Sequence, residues 1–269
     1  MHLLDHILAT DGLTVVFQPV VELEGETLRL HTLECLTRGP RDTNAARADV
    51  MFEYVRRKRV EPIVDRACIT AALQEAAGLP GAPRLSLNVH ASTLGRDADF
   101  PSFLDAVTDR QGIHPSRLTI EIVEHARAWD GVTFSRALQA LRTLGARIAL
   151  DDVGLGHSNY GMMLDTQPEY LKIDRYFVHG ALGDLQRRAV LDSIAQLGLK
   201  LGARVVGEGV EDATDLLSLR DFGIDLAQGY LFAAPLSAAE LLGSGWLSGH
   251  PSDPQTSRQP QSAACSLTR

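Results

Sequence analysis

The chain has 269 residues, of which 45% are hydrophobic and 22% are charged, a composition typical of a folded globular protein rather than a disordered or fibrous one. The formal net charge is −8, which disfavours a DNA or RNA polymer as partner because general nucleic-acid binders depend on basic surfaces. The three cysteines, Cys35, Cys68 and Cys265, are too few and too scattered for a disulfide framework or a zinc cluster.

The opening segment MHLLDHILATDG is interrupted by Asp5 and His6, so it does not resemble a secretion signal. No run approaches the roughly 18 consecutive apolar residues that a membrane helix needs. These features predict a cytoplasmic protein without a membrane partner. At this length one large domain is the default.

Short apolar or β-branched runs alternate with segments of helical periodicity along the chain. The first two runs, LTVVFQPVV and LRLHTLECL, are separated only by ELEGET, a connection of hairpin length, so one strand is expected to run antiparallel. The later runs are RLSLNVH, RLTIEIVE, RIALDD, EYLKID, ARVVGEG and IDLAQGYLF. Helical segments such as TFSRALQALRTLG and RRAVLDSIAQLGLKLG end in glycine, a typical helix stop.

About eight strands alternating with helices predict an α/β fold in which a mostly parallel sheet closes into a TIM-like (β/α)8 barrel. We expect this barrel to form a single domain over residues 1–248. Residues 249–269 are rich in Ser, Pro and Gln with little to bury, which predicts a disordered C-terminal tail.

Polar side chains stand at or just after the C-terminal ends of the predicted strands, where barrels of this kind place their active sites. In strand order from the second to the eighth they are Glu34, Asn88, Glu121, Asp151, Lys172 with Asp174, Glu208 and Gln228. Each residue alone would more often be a helix cap, a turn residue or a solvated carboxylate. Together, carboxylates and a carboxamide without histidine or thiolate favour Mg²⁺ or Mn²⁺ over zinc.

Two adjacent carboxylates, Asp151 and Asp152, precede a Gly-x-Gly turn in RIALDDVGLGHSNYG. One interpretation is a solvated acidic loop. The other is a pair of cations about 4 Å apart that share a bridging carboxylate, the usual arrangement for displacement at phosphorus. The adjacent pair suits two metals only if the strand ends between the two residues, a turn that the following glycines allow.

Seven segments in order resemble the EAL-domain phosphodiesterases of cyclic di-GMP, over roughly residues 15–237. FQPVVELEGETLRLHTLECLTR is similar to the opening of that family, with Glu34-Cys35-Leu36 in place of the name-giving Glu-Ala-Leu. LNVHASTL resembles its Asn-x-Ser segment, LTIEIVE its Glu-x-x-Glu segment, LDDVGLGHSN its Asp-Asp-Phe-Gly-Thr-Gly-Tyr-Ser loop, LKIDRYFV its Lys-Ile-Asp segment, VVGEGVED its Glu-Gly-Val-Glu segment and AQGYLFAAPL its Gln-Gly-Tyr segment.

The resemblance implies a modified (β/α)8 barrel whose first strand is antiparallel. It implies metal-dependent hydrolysis of one phosphodiester bond of cyclic di-GMP to the linear dinucleotide pGpG, with two Mg²⁺ or Mn²⁺ ions per site, and a homodimer. The implied ligands of the first metal are Glu34, Asn88, Glu121 and Asp151. Asp151 would also bridge to the second metal, and Asp152 would belong to the second site.

The remaining roles implied by the resemblance concern water and substrate. Lys172 would hold or deprotonate the attacking water, Glu208 would complete the metal and water arrangement, and Gln228 would support the water. Gln18 and Arg38 resemble the substrate contacts, Glu124 the glutamate that anchors the loop after the fifth strand, and Glu211 the supporting glutamate beside the catalytic lysine.

The chain departs from the family pattern at four positions, none of them a metal ligand. Val153 and Leu155 replace Phe and Thr of the loop, His157 replaces its Tyr, and His90 stands where the Ser of Asn-x-Ser would be. Two alternatives to an active phosphodiesterase therefore stay open. One is a catalytically weak cyclic di-GMP receptor, and the other is an enolase-like barrel in which Lys172 acts as a base next to a magnesium ion.

Overall fold

The computed structural model describes residues 2–24, 27–123, 130–155, 160–224 and 226–249. Over these residues eight strands form one closed barrel in the order β1 to β8. The strands are β1 Thr14–Glu24, β2 Thr27–Arg38, β3 Leu85–His90, β4 Leu118–Val123, β5 Arg147–Val153, β6 Tyr170–Ile173, β7 Arg204–Gly207 and β8 Leu226–Gln228.

The helices lie between and around the strands. They are α1 Leu3–Ile7, α2 Ala48–Lys58, α3 Glu61–Ala76, α4 Ala91–Arg96, α5 Phe100–Gln111, α6 Gly131–Thr143, α7 Tyr160–Thr166, α8 Arg175–Val178, α9 Leu185–Leu201, α10 Ala213–Asp221 and α11 Ala238–Gly243. Helices α6 and α9 occupy the two segments whose periodicity predicted them. Within the described part of the chain, no helix has the length and apolar character needed to cross a membrane.

Strand β1 runs antiparallel to both of its neighbours, and all the other neighbouring strands are parallel. Its register places Gln18 opposite Glu34 of β2 and Val20 opposite Gln228 of β8. The predicted barrel and its antiparallel first strand are therefore confirmed. Because β1 is reversed, the carboxamide of Gln18, near the start of the chain, lies beside Glu34 at the end of the barrel where the parallel strands terminate.

Alternation along the strands separates an apolar outer layer from a polar interior. In β4, Leu118, Ile120 and Ile122 belong to the main hydrophobic core between strands and helices. Thr119 and Glu121 instead line a small cavity inside the barrel. The side chains available for chemistry therefore project into the barrel, where the surrounding strands hold them in place.

Two strand ends differ from the sequence prediction. Strand β5 does not end between Asp151 and Asp152 but continues to Val153 through a register shift in its ladder with β6. Strand β6 ends at Ile173, one residue before Asp174, which still lines the cavity at the mouth of the barrel together with Glu34 and Glu208. Asp174 is the N-cap of α8, and its Oδ1 accepts a hydrogen bond from the Tyr176 backbone at 2.7 Å.

Candidate active site

Four carboxylates surround the ammonium group of Lys172 inside the barrel: three lie in β2, β4 and β5, and Glu208 directly follows β7. Lys172 Nζ lies 2.6 Å from Glu121 Oε2, 2.7 Å from Glu208 Oε1, 3.2 Å from Glu34 Oε2 and 3.5 Å from Asp151 Oδ1. The lysine side chain is 3% exposed. The structure thus brings Lys172 together with four of the carboxylates that the sequence placed at strand ends.

Three carboxamides complete this cluster on the side of β1, β3 and β8. Asn88 Nδ2 donates to Glu34 Oε1 at 2.8 Å, and Gln228 Nε2 donates to Glu34 Oε2 at 2.6 Å. Gln228 Nε2 also lies 3.1 Å from Gln18 Oε1, and Gln18 Nε2 donates to the carbonyl of Ala233 at 3.1 Å. Glu34 is therefore held by hydrogen bonds on both of its oxygens.

Ser86 is a contributor that the sequence argument missed. It lies two residues before Asn88 in β3, on the same face, and its hydroxyl donates a hydrogen bond to Glu121 Oε1. Since Lys172 binds the other oxygen of Glu121, the carboxylate is fixed from two directions. The period of two along LSLNVH was the available signal.

Asp152 joins the cluster through an unusual backbone conformation. Its φ of +51° lies in the left-handed region, which is costly for most residues with a side chain but less so for Asp. The register shift between β5 and β6 forms a β-bulge at Asp151 and Asp152, and it lets these adjacent residues both turn toward Glu208. One carboxylate oxygen from each of the three lies within 4.8 Å of the others. A bulge thus performs the turn that the sequence argument had assigned to the following glycines.

The carboxylates of the cluster differ in how easily they ionise. Burial raises the pKa of Glu121 to about 8, with repulsion from Glu34 adding to the shift. Burial also raises the pKa of Asp151 and, more strongly, that of Glu208. The pKa of Asp152 rises to about 6 through burial and the adjacent charge of Asp151. The other protein groups therefore do not fully compensate the negative charge of these carboxylates.

For Glu34 and Lys172, in contrast, charge interactions and hydrogen bonds outweigh the effect of burial on the pKa, and both side chains are held in their charged forms. Burial alone would raise the pKa of Glu34, but Lys172 and the hydrogen bonds from Asn88 and Gln228 outweigh it and hold that pKa below its usual value. Burial disfavours the charged form of Lys172, but the surrounding carboxylates raise its pKa well above the usual value. At neutral pH Lys172 is therefore an ammonium group that donates hydrogen bonds.

The donor set fits a hard divalent cation. It consists of carboxylate and carboxamide oxygens, the ligands that Mg²⁺ and Mn²⁺ prefer. The cluster contains five carboxylates, counting Asp152, but a single ammonium group, an excess of negative charge that a cation would relieve. Gln228 Oε1 is buried and has no hydrogen-bond partner among the described residues, so an acceptor is also available there.

The other residues singled out in the sequence lie at the rim or elsewhere. Gln18 and Glu211 line a cavity of about 240 Å³ together with Glu34, Glu208 and Gln228. Glu211 is not among the carboxylates that contact Lys172 in the described part of the chain; its Oε1 lies 3.0 Å from Arg175 Nη2.

Arg38 is half-buried at the end of β2. Its Nη1 donates to the carbonyl of Thr37 at 3.1 Å, and it lines a second cavity together with Asn88. Of the loop substitutions, Val153 is buried and Leu155 is 38% exposed. Glu124 and His157 lie outside the described residues.

Comparison with known sequences gives a match over nearly the whole chain. The family model described as the EAL domain matches residues 2–235. Cyclic di-GMP phosphodiesterase NbdA of Pseudomonas aeruginosa is 31% identical over 248 residues, which cover 87% of this chain and 30% of NbdA. The oxygen sensor protein DosP of Escherichia coli is 28% identical over 258 residues, covering 91% of this chain and 31% of DosP. The chain thus spans about a third of the length of these relatives.

Solved structures give the same result for the fold. A manganese and cyclic di-GMP complex of BlrP1 from Klebsiella pneumoniae superposes with a TM-score of 0.75 at 27% identity, covering 86% of this chain and 57% of BlrP1. A standalone EAL protein from Vibrio cholerae O395, in its c-di-GMP-bound form, has a TM-score of 0.74 at 24% identity, covering 86% of this chain and 95% of that protein. At this lower identity the likeness shows the fold alone.

Proposed function

The chain belongs to the EAL domain family, and on that premise we propose that it hydrolyses one phosphodiester bond of cyclic di-GMP to give linear pGpG, with two Mg²⁺ or Mn²⁺ ions per site. The observation that carries this proposal is the convergence of Glu34, Glu121, Asp151 and Glu208 on Lys172. A structural ion pair needs one carboxylate for each ammonium group. Four in one buried site favour a function that requires additional positive charge.

We assign the first metal to Glu34, Asn88, Glu121 and Asp151. The second is assigned to Asp151, Asp152 and Glu208, whose oxygens already lie close together. When bound, the cations would offset the repulsion among the carboxylates, lower the pKa of a water molecule and stabilise the leaving 3′ oxygen.

The side chains around that water have separate tasks. Lys172, whose ammonium group lies among four carboxylates, would hold or deprotonate the attacking water. Gln228 supports it from β8 through an oxygen that is free of hydrogen bonds within the described chain. Arg38 pairs with a phosphate oxygen of the substrate, and Gln18 contacts the substrate from β1. Glu211 supports the mouth of the site beside Arg175, and Glu124 is assigned the anchoring of the loop after β5.

The test uses purified full chain, cyclic di-GMP and Mn²⁺ or Mg²⁺, with products separated by chromatography. Wild-type protein should form pGpG, and Glu34→Gln, which keeps the size of the side chain but removes its charge, should not. Glu22→Gln is the matched control because Glu22 lies on β1 and pairs with Arg204 at 2.6 Å, away from the cluster. Tight binding of cyclic di-GMP without product would instead support a receptor.

We also propose a homodimer. Tyr160 and Leu164 on α7 are 73% and 72% exposed, and Tyr176 on α8 is 57% exposed. Exposed apolar side chains of this kind are common in protein interfaces. Light scattering coupled to size-exclusion chromatography should give twice the chain mass of 29.2 kDa, and a Leu164→Glu variant should elute as a monomer.

A further inference from the structure

Strands β2 and β3 separate before either of them ends. The parallel ladder between them ends at the pair of Cys35 and Leu87, whereas β2 continues to Arg38 and β3 to His90. A cavity of about 160 Å³ lies in the gap and is lined by both strands. Asn88 therefore lies on a stretch of β3 that has lost its backbone pairing with β2.

Asp65 on α3 holds the end of β3 at this gap. Its Oδ2 accepts hydrogen bonds from the His90 backbone N–H at 2.9 Å and from Thr93 Oγ1 at 2.5 Å. Its Oδ1 lies 2.8 Å from His90 Nδ1. Both residues are buried, with 1% of Asp65 and 7% of His90 exposed. These bonds satisfy a carboxylate that would otherwise be costly to bury, and they anchor the strand where the ladder with β2 has ended.

The anchored residue is close to the site. His90 lies two residues after Asn88, whose carboxamide donates to Glu34 at 2.8 Å. On its other edge β3 remains paired with β4 as far as His90 and Val123, so the end of β3 is held between β4 and Asp65. The imidazole of His90 also packs against Phe52 of α2, with ring centroids 5.5 Å apart. The family pattern that the chain resembles has a serine at position 90, so the imidazole contact with Asp65 departs from that pattern.

We propose that Asp65 and His90 are positioning residues that hold Asn88 in the geometry required to bind a divalent cation. The inference rests on the proposed function, in which Asn88 is a ligand of the first metal. Neither residue need touch substrate or metal. Removing a residue that hydrogen-bonds to a metal ligand commonly weakens metal binding 10- to 100-fold. The ligand is then mobile in the free protein, and metal binding must order it.

The test measures Mn²⁺ binding to the full chain by titration calorimetry, without substrate. In His90→Leu the bond to Asp65 Oδ1 is lost at similar side-chain size, and the dissociation constant for Mn²⁺ should rise about tenfold. In His90→Asn the side-chain nitrogen occupies nearly the position of Nδ1, and the dissociation constant should stay within about twofold of wild type. Asp65→Asn should weaken Mn²⁺ binding as much as His90→Leu does.

Glu61→Gln is the matched control. Glu61 is another buried carboxylate of α3, 6% exposed, and it accepts a hydrogen bond from Ser92 of α4 at 3.2 Å. Suppose that the Asp65 contacts only stabilised the fold. A Glu61→Gln protein whose melting temperature falls as much as that of Asp65→Asn would then bind Mn²⁺ as weakly as Asp65→Asn does. We expect its Mn²⁺ affinity to remain that of wild type.

Two results would overturn the inference: a folded His90→Leu protein that binds Mn²⁺ as tightly as wild type, or a His90→Asn protein that binds as weakly as His90→Leu. The comparison of His90→Leu with His90→Asn tests the inference even if Asp65→Asn does not fold. A wild-type protein that binds Mn²⁺ but forms no pGpG contradicts the proposed hydrolysis and leaves this comparison valid. A wild-type protein that binds no Mn²⁺ contradicts both.

Discussion

Lys172 Nζ lies 2.6 Å from Glu121 Oε2 and joins β6 to β4 through the interior of the barrel. The two strands are not neighbours, since β5 lies between them. The contact therefore crosses the barrel rather than running along its wall, and it links two side chains that the proposed chemistry requires.

Replacing Lys172 with Met should destabilise the protein when no divalent ion is present. The substitution removes the ammonium group that the four carboxylates share, and unpairing a buried charge in this way costs about 3–5 kcal/mol. Urea unfolding in a chelating buffer measures the loss. Adding Mn²⁺ should recover more stability in the variant than in wild type, because the ion replaces the lost positive charge.

The control for this substitution is Lys200→Met near the end of α9, where the lysine is exposed. Its stability should change by less than about 0.5 kcal/mol. Equal losses in the two variants would contradict the idea that Lys172 compensates the carboxylates.

Replacing Asp152 with Gly should increase stability while reducing hydrolysis. Glycine adopts the φ of +51° without steric cost, and the change removes a carboxylate that repels Asp151. We expect a gain of about 1 kcal/mol in the free energy of unfolding without metal, and a loss of at least about tenfold in kcat/KM. Thermal unfolding and product formation are the two measurements.

Asp152→Asn separates the two effects. Asparagine also tolerates the left-handed region but lacks the charge, so activity should fall while stability rises less than in the glycine variant. A glycine variant with the wild-type rate would show that Asp152 is not a ligand.

Replacing Gly209 with Ala should distort the loop that follows Glu208. Gly209 has φ +62°, and a Cβ at this position would lie 2.2 Å from Arg175 Cβ. Gly223→Ala is the matched comparison, since its φ is +68° but no atom lies within 4 Å of the added Cβ. The strain of the left-handed region costs both variants about 1–2 kcal/mol.

Only Gly209→Ala adds a steric overlap to the strain of the left-handed backbone. Gly209→Ala should therefore be less stable than Gly223→Ala by at least about 1 kcal/mol and should lose activity. The Gly223 variant should keep its kcat/KM. Equal melting temperatures would show that Arg175 moves aside without cost.

His31 should make the fold sensitive to moderate acid. Burial lowers its pKa to about 4, with repulsion from Arg204 adding to the shift, and its Nε2 lies 3.1 Å from the hydroxyl of Tyr170. The folded state thus binds fewer protons than the unfolded state between pH 4 and pH 6.5. Stability from this residue is complete above pH 6.5 and is lost as the pH falls toward 4.

His31→Gln should remove this dependence, because glutamine stays neutral and can still bind Tyr170. Unfolding free energies measured from pH 7 to pH 4 should fall less steeply in the variant, by about 2 kcal/mol over the range. Parallel curves for wild type and variant would contradict the lowered pKa.

The barrel, its antiparallel strand and the main carboxylate cluster could be predicted from the sequence because each depends on local patterns. A strand period of two and a hairpin-length connection are visible over a few residues. The bulge at Asp152 was not visible, because the left-handed conformation is set by the ladder between β5 and β6. The cap role of Asp174 was missed for a similar reason, since it depends on a strand that ends one residue earlier than expected.

The supporting residues were harder to predict. Ser86 and Glu121 are 35 positions apart, and Asp65 and His90 are 25 apart. No local pattern pairs a serine or an aspartate with a partner at such a distance. These contacts depend on how strands and helices pack, and only the folded chain shows which of several buried polar residues meet.

The pairing of β1 with β8 also has a consequence for folding. The hydrogen bond between Gln18 and Gln228 joins residues 210 positions apart, and contacts of such long range form slowly because a large loop must be ordered first. During synthesis, the cluster cannot be completed until the ribosome has released β8, because Gln228 donates one of the hydrogen bonds to Glu34. The proposed metal site would therefore be complete only when the nascent barrel closes.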